Sequence, residues 1–198
     1  MSLPAPPAPA KLVIGMFTAD PKLTAPLAER LAGDFGPPDL VSPWWAFDFT
    51  DYYAAEMGAP LYRRMMSFRN WVAQDTLSGI KLRTNALEAE YADEDSRRRV
   101  NIDPGYLLPE RFVLASGKNF THRIYIGKGI YADLTLTYRK GEFQCLPWTY
   151  PDYADHRIQS FLIQVRRKYL FDIRSDRQAN AGDDGRDGDA PSGAVRCG

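Results

Sequence analysis

The sequence predicts an α+β fold: a ferredoxin-like split βαβ core (β-α-β-β-α-β), then a C-terminal β-hairpin extension and a final amphipathic helix. Three observations carry this. The early order of apolar periodicities reads strand, helix, strand, strand, helix, strand. Ile130, Ala132, Leu134, Leu136 and Tyr138 alternate with Tyr131, Asp133, Thr135 and Thr137, and Lys140-Gly141 beyond them suits a hairpin turn. Residues 152–173 place Ile158, Phe161, Leu162, Val165 and Tyr169 on one helical face.

The elements follow in order. "KLVIGMFT" (11–18) is a short, nearly continuous apolar run and reads as a buried central strand. After it, Asp20 or Thr24 can cap a helix that carries Leu23, Leu27 and Leu31 on one face. Pro26 falls in its first turn and Gly36-Pro37 ends it. "DLVSPWWAFDFTDYYAAEMG" mixes a strand with aromatic loop residues, and "LYRRMMSFRNWV" reads as the next strand. "DTLSGIKLRTNALEAEYADE" is helical, with Leu77, Ile80, Thr84, Leu87 and Tyr91 on one stripe. "RRVNIDPGYLL" and "RFVLASG" are strand-like and joined through a turn. Asp103-Pro104-Gly105 is itself turn-like, because Pro pre-sets φ and Gly accepts positive φ. Residues 1–10 form a Pro-rich lead-in, 11–174 a single globular domain, and 175–198 a disordered Gly/Asp-rich tail.

Composition narrows the function. The 198 residues are 44% hydrophobic and 25% charged, with a formal net charge of zero. A neutral chain is not drawn as a whole to nucleic acid or to membrane. Two cysteines, Cys145 and Cys197, one of them in the tail, argue against a structural disulfide and fit a reducing cytoplasm. The N-terminus has no charged region before an apolar run, so it does not read as a secretory signal, and no segment approaches the ~20 apolar residues of a membrane span. There is no phosphate-loop, CxxC, HExxH or GxSxG motif. Gly127-Lys128-Gly129 lacks a following helix and reads as a plain hairpin loop.

Polar clusters beside turns remain. Asp48, Asp51 and Glu56 are closely spaced carboxylates, the candidate oxygen ligands for a divalent ion such as Mg, although capping by Thr50 or Asp51 explains them as well. Lys81, Asn85 and Glu88 share a helix face beside the apolar stripe and could grip a polar ligand or form a solvated flank. On a strand, Arg99, Asn101 and Asp103 project together. Lys118, His122 and Arg123 suit an anion. Asp133, if covered by a helix, would need a cation, for which Arg123 and Lys118 are candidates. Asp152 reads as the N-cap of the last helix, with Trp148, Tyr150 and Tyr153 around it.

The blocks "FDFTDYYAAEMGAPLYRR", "IKLRTNALE", "RRVNIDPGYL", "ASGKNFTHRIYIGKGIYADLTL" and "PWTYPDY" resemble the bacterial family catalogued as domain of unknown function 4416, over about residues 10–172. The resemblance implies a cytoplasmic bacterial protein. It defines no catalytic residue.

The first expectation is therefore a protein that binds or acts on a small anionic, phosphate-bearing ligand, such as a nucleotide, in a polar cleft. Lys81, Arg99, Lys118 and Arg123 would supply positive charge. Asp48, Asp51, Asp103 and Asp133 would bind metal or act as acid/base groups, and His122 would shuttle a proton. Tyr106, Tyr125 and Tyr150 would wall the site, with Asn85, Glu88 and Asn101 completing it. The alternative is a non-enzymatic protein- or RNA-interaction module using an exposed Trp44/Trp45 patch and the basic C-terminal helix. The sequence leaves reaction, oligomeric state and enzyme status open.

Overall fold

A computed structural model of the chain describes residues 2–183. In order along the chain these residues form β1 (Ala10–Thr18), α1 (Thr24–Phe35), β2 (Pro38–Val41), β3 (Trp45–Phe47), α2 (Ala54–Met57), β4 (Leu61–Val72), α3 (Leu77–Glu90), β5 (Val100–Leu108), β6 (Arg111–Ser116), β7 (Arg123–Tyr125), β8 (Tyr131–Arg139), β9 (Glu142–Cys145) and α4 (His156–Asp183). The class is α+β. Nine strands form one sheet in the order β2-β4-β1-β5-β6-β8-β7, with β3 on β4 and β9 on β8. Every pairing is antiparallel, and the sheet is larger than the four-stranded core expected.

Strand β1 lies at the centre, and all nine of its residues are buried. Its alternate side chains feed two cores. Leu12, Ile14 and Met16 meet Leu27 and Leu31 of α1 and Ile80 and Leu87 of α3 on one face. Val13 faces the other way, toward Phe161, Leu162, Val165 and Tyr169 of α4. The chain is thus three layers, with helices on both faces of an antiparallel sheet. All three helix stripes read from the sequence are the packed ones. The buried cation Lys11 pairs with Asp39, which also accepts from Ser67 Oγ at 2.5 Å and lies 3.7 Å from Lys168 of α4. This cluster ties β1 and β2 to the helix layer. No helix among the described residues is long and apolar enough to cross a membrane.

Several local expectations are corrected. Asp103-Pro104-Gly105 is not a turn. It runs extended through the middle of β5, paired to Gly15, Ile14 and Val13. The turn between β5 and β6 is Pro109-Glu110, flanked by the pair Leu108–Arg111. The alternation of 130–138 does not keep one face. A register shift between Phe112 and Val113 leaves Thr135 without a partner in β6, as a bulge does. Ala132 and Leu134 pack with Leu77 and Ile130, while Leu136 and Tyr138 join the α4 core.

Trp44 and Trp45 are not an exposed patch. Trp45 packs edge-on against Phe161, and the Arg64 guanidinium lies 5.2 Å from the Trp44 ring. Within the run Arg166, Arg167 and Lys168 of the basic helix, two cations are also engaged. Arg166 donates to Pro109 O at 2.6 Å and lies over Tyr138, and Lys168 pairs with Asp172. Helix α4 continues nine residues past the expected domain end at 174, to Asp183. The rest of the expected tail, with Cys197, lies outside the described residues.

At Gly105, β5 and β6 leave no room for a side chain. A Cβ there would sit 2.5 Å from Val113 O and 3.0 Å from the Phe112 ring. Gly105→Ala should therefore lower the unfolding free energy by about 1–3 kcal/mol, as overpacking does. Urea unfolding would measure it, and an unchanged midpoint would show that β5 and β6 can separate freely at this point.

Candidate functional site

The cleft begins where β5 and β6 part. Their ladder stops at Gly105–Leu114, although β6 goes on to pair with β8 as far as Ser116. Ile102 turns its N–H and C=O away from β1, toward the side where β6 would lie. Pro104 has the same parity, so its missing N–H is on that side as well. Pro104 thus has no donor with which to extend the ladder. The strands diverge beyond it, and a cavity of about 790 Å³ opens between them, the β3–α2 segment and the segment before α4.

The exposed edge of β5 is closed by side chains of α3. Ile102 N donates to Glu88 Oε1 at 2.6 Å, and Lys81 Nζ donates to Ile102 O at 2.8 Å. One carboxylate and one ammonium, seven residues apart on a helix, take the place of a neighbouring strand. A buried backbone pair left unbonded would be costly, so this role alone explains why both side chains are buried. Lys81 is also 3.7 Å from Asp103 and 3.9 Å from Glu88. Burial pushes the Glu88 carboxyl up to about 6, against the opposing pull of Lys81 and of the Ile102 N–H. Asn85, between the two, is exposed and lines the cavity.

Arg63 of β4 is at the cavity wall and is only 2% exposed. Nη1 pairs with Asp152. The guanidinium lies 4.6 Å from the Tyr153 ring centroid and 5.7 Å from that of Phe47. Gly15 makes the room, since a Cβ there would be 2.8 Å from Arg63 Nη2 and 3.1 Å from Tyr153 OH. Arg63 Nε, Arg63 Nη2 and Tyr153 OH are buried with no hydrogen-bond partner among the described residues. Burial pushes the Tyr153 phenol up, so it stays a protonated donor. Burial also raises the Asp152 carboxyl, with Arg63 opposing.

The remaining walls are braced ion pairs. Arg98 grips Glu56 through two bonds, at 2.8 and 2.5 Å, and donates to Asn101 Oδ1 at 3.1 Å. Asn101 in turn donates to Asp103 Oδ2 at 2.7 Å. The fork from Arg98 holds the Glu56 carboxyl below the usual range. Asp133, 1% exposed, accepts from Arg123 Nε at 2.9 Å and lies 3.2 Å from His122 Nε2. Arg123 also donates to Ser116 Oγ, Lys118 O and Tyr150 OH. His122 stacks on Trp148 with ring centroids 4.8 Å apart. At the mouth, Lys118 Nζ lies 5.4 Å from the Tyr52 ring. Burial pushes the Tyr53 phenol up to about 12.

Of the residues singled out in the sequence, Lys81, Asn85, Glu88, Asn101, Asp103 and Lys118 line this cavity, as do Asp133 and Tyr150. Arg123 and His122 support it from behind through Asp133. Arg99 points elsewhere and pairs with Asp20, so the expected trio is reduced to two. Asp48, Asp51, Tyr106 and Tyr125 do not line it. Both oxygens of Glu56 are taken by Arg98, and no cluster of three or more His, Cys, Asp or Glu suited to a metal occurs among the described residues. Asp152 does not cap α4. Asp155 does, accepting the Arg157 N–H at 2.7 Å. Sequence reasoning missed Arg63, Arg98, Tyr53 and the pairing role of Asp152. Arg63 left one signal, a cation at an inward position of an apolar strand.

The family described as Domain of unknown function (DUF4416) matches residues 8–169. No curated protein and no solved structure matches the chain.

Glu88 should make stability pH-dependent. Its folded value, about 6, is above the unfolded 4.5, so its contribution is complete below the unfolded value and is lost as pH rises through about 6. Relative to Glu88→Gln, the wild-type protein should lose about 2 kcal/mol between roughly pH 4 and 7. Urea unfolding of both proteins across that range would test this. A difference that does not change with pH would mean that Glu88 is not desolvated.

Proposed function

The chain belongs to the DUF4416 family, and we propose from the geometry of the cleft that it binds a small anionic ligand, phosphate or carboxylate, there, with the ligand's oxyanion at Arg63. One observation carries the reading. Two guanidinium nitrogens of Arg63 and the Tyr153 O–H lie together in the cavity wall, buried and with no hydrogen-bond partner among the described residues. Each such donor costs about 1–3 kcal/mol while it is left unbonded. An oxyanion accepts from all three, and a planar guanidinium suits a carboxylate or phosphate edge. Lys118 at the mouth adds a cation that makes no ion pair among the described residues. Glu88, Asp103, Asp133 and Asp152 are the carboxylates that line the cavity and could serve as acid or base if a reaction follows binding.

The same reading extends to architecture and compartment. The order β2-β4-β1-β5, with α1 and α3 packed on one face, supports a ferredoxin-like split βαβ core, to which β6–β9 and α4 are added. A free, exposed Cys145 supports a reducing, cytoplasmic setting.

Thermal-shift measurements with inorganic phosphate, acetate and mononucleotides would test the binding. The control is Arg63→Met/Asp152→Asn, which removes both charges together, because deleting one would strand the other. The wild-type protein should be stabilised by at least one anion and the double variant by none. No shift with any phosphate or carboxylate, or the same shift in both proteins, would refute the assignment.

A further inference from the structure

We propose that the occupant of the cleft is a planar ring carrying one oxyanionic group, and that the site disfavours polyanions such as nucleoside triphosphates. This deepens the preceding reading and rests on an oxyanion at Arg63.

Size gives the first constraint. A cavity of about 790 Å³ falls in the range of small-molecule sites and is far larger than a bare anion needs. The body of the ligand must fill what its anion does not.

The walls say what that body is. Phe47, Tyr52 and Tyr53 come from the β3–α2 segment, Tyr150 and Tyr153 from the segment before α4, and Phe17 from β1. Aromatic side chains therefore face the cavity from two separate segments and from the sheet. Tyr52 is 66% exposed and Tyr150 40% exposed, so these two have ring surface that no protein group covers. Rings with free faces and edges favour a planar partner over a saturated one of equal size.

Charge sets the limit. The cavity is lined by four cations, Arg63, Lys81, Arg98 and Lys118, and four carboxylates, Glu88, Asp103, Asp133 and Asp152. Most of the cations are committed: Arg98 to Glu56, Lys81 between Glu88 and Asp103, and one arm of Arg63 to Asp152. What is left for a ligand is the rest of Arg63 and Lys118. Asp103 has a side chain 31% exposed and, among the described residues, no closer cation than Lys81 at 3.7 Å, so it presents negative charge to the cavity. A triphosphate would set three or more negative charges against it in a partly desolvated space. One oxyanion at Arg63 avoids that cost, and the unused lone pairs of Asp103 then suit N–H or O–H donors on the ring.

Calorimetric titration of the full chain with six probes tests this. Benzoate and phenyl phosphate carry a ring and one anion. Cyclohexanecarboxylate keeps the anion and loses planarity. Acetate and inorganic phosphate lack the ring, and adenosine triphosphate has a ring and a polyanion. At least one of the first two should bind about tenfold more tightly than the other four, and which of them binds better identifies carboxylate or phosphate as the group at Arg63. Tyr52→Ala, at an exposed position, should weaken the better ring probe by about threefold to tenfold and leave inorganic phosphate unchanged. Cyclohexanecarboxylate, acetate or inorganic phosphate binding as tightly as the better ring probe, or adenosine triphosphate binding as tightly as phenyl phosphate, would overturn the inference and leave anion binding at Arg63 standing. If none of the six binds, anion binding itself fails and the inference fails with it.

Discussion

Pro104 has no N–H, and the architecture of the cleft follows from that single missing donor. A strand in the middle of a sheet normally bonds on both sides. β5 bonds fully to β1, but on its other side it can pair with β6 only from Gly105 onward. The strand edge thus uncovered cannot be left bare inside the protein. Helix α3 covers it with the two ends of a Lys–Glu pair, and the space that β6 vacates becomes the cavity. Gly105, the next residue, brings the strands back together at a distance that no side chain would allow.

The same economy of partners shapes the far wall. Arg63 crosses β1 over Gly15, where a Cβ would collide with it. Its charge is met by Asp152, but Arg63 Nε, Arg63 Nη2 and Tyr153 OH have no hydrogen-bond partner among the described residues. A buried ion pair contributes little net stability, because desolvation offsets the attraction. Unbonded donors beside it lower stability further. A pair of this kind, beside a large cavity, is more readily explained by what it binds than by what it holds together. By contrast, Glu56–Arg98 and Asp133–Arg123 are well-bonded braces that fix loops in place.

Much of the fold was legible in the sequence, because period and burial agree there. The stripes Leu77–Ile80–Leu87 and Ile158–Phe161–Val165–Tyr169 are the packed faces, and the hairpin at Lys140-Gly141 is where its residues indicated. Asp103-Pro104-Gly105 misled for a physical reason. Local preference favours a turn, but pairing with β1 needs only that Pro104 face its missing donor away from that neighbour. The bulge at Thr135 was hidden because a strand's period changes face there without any change in the apolar pattern. The family resemblance was readable from long blocks in order. In the site, Lys81, Asn85, Glu88, Asn101, Asp103 and Lys118 were found as polar residues beside apolar stripes. Arg63 and Asp152 are 89 positions apart, and only the sheet and the α4 segment bring them together. Asp152 was assigned to a cap because a proline-led acidic residue before a helix is a local signal, and a buried cation from another strand is not.

Closing a strand edge with side chains also sets how the molecule can breathe. Between two strands, a ladder can fray one bond at a time. At Ile102 both bonds end on α3, so the edge of β5 cannot open unless that helix shifts or Lys81 and Glu88 withdraw together. The cavity wall and the helix therefore form one cooperative unit, and slow amide exchange at Ile102 would report on both. Anything that settles into the cleft would be registered along α3, on the opposite face of the sheet from α4, without touching most of that helix.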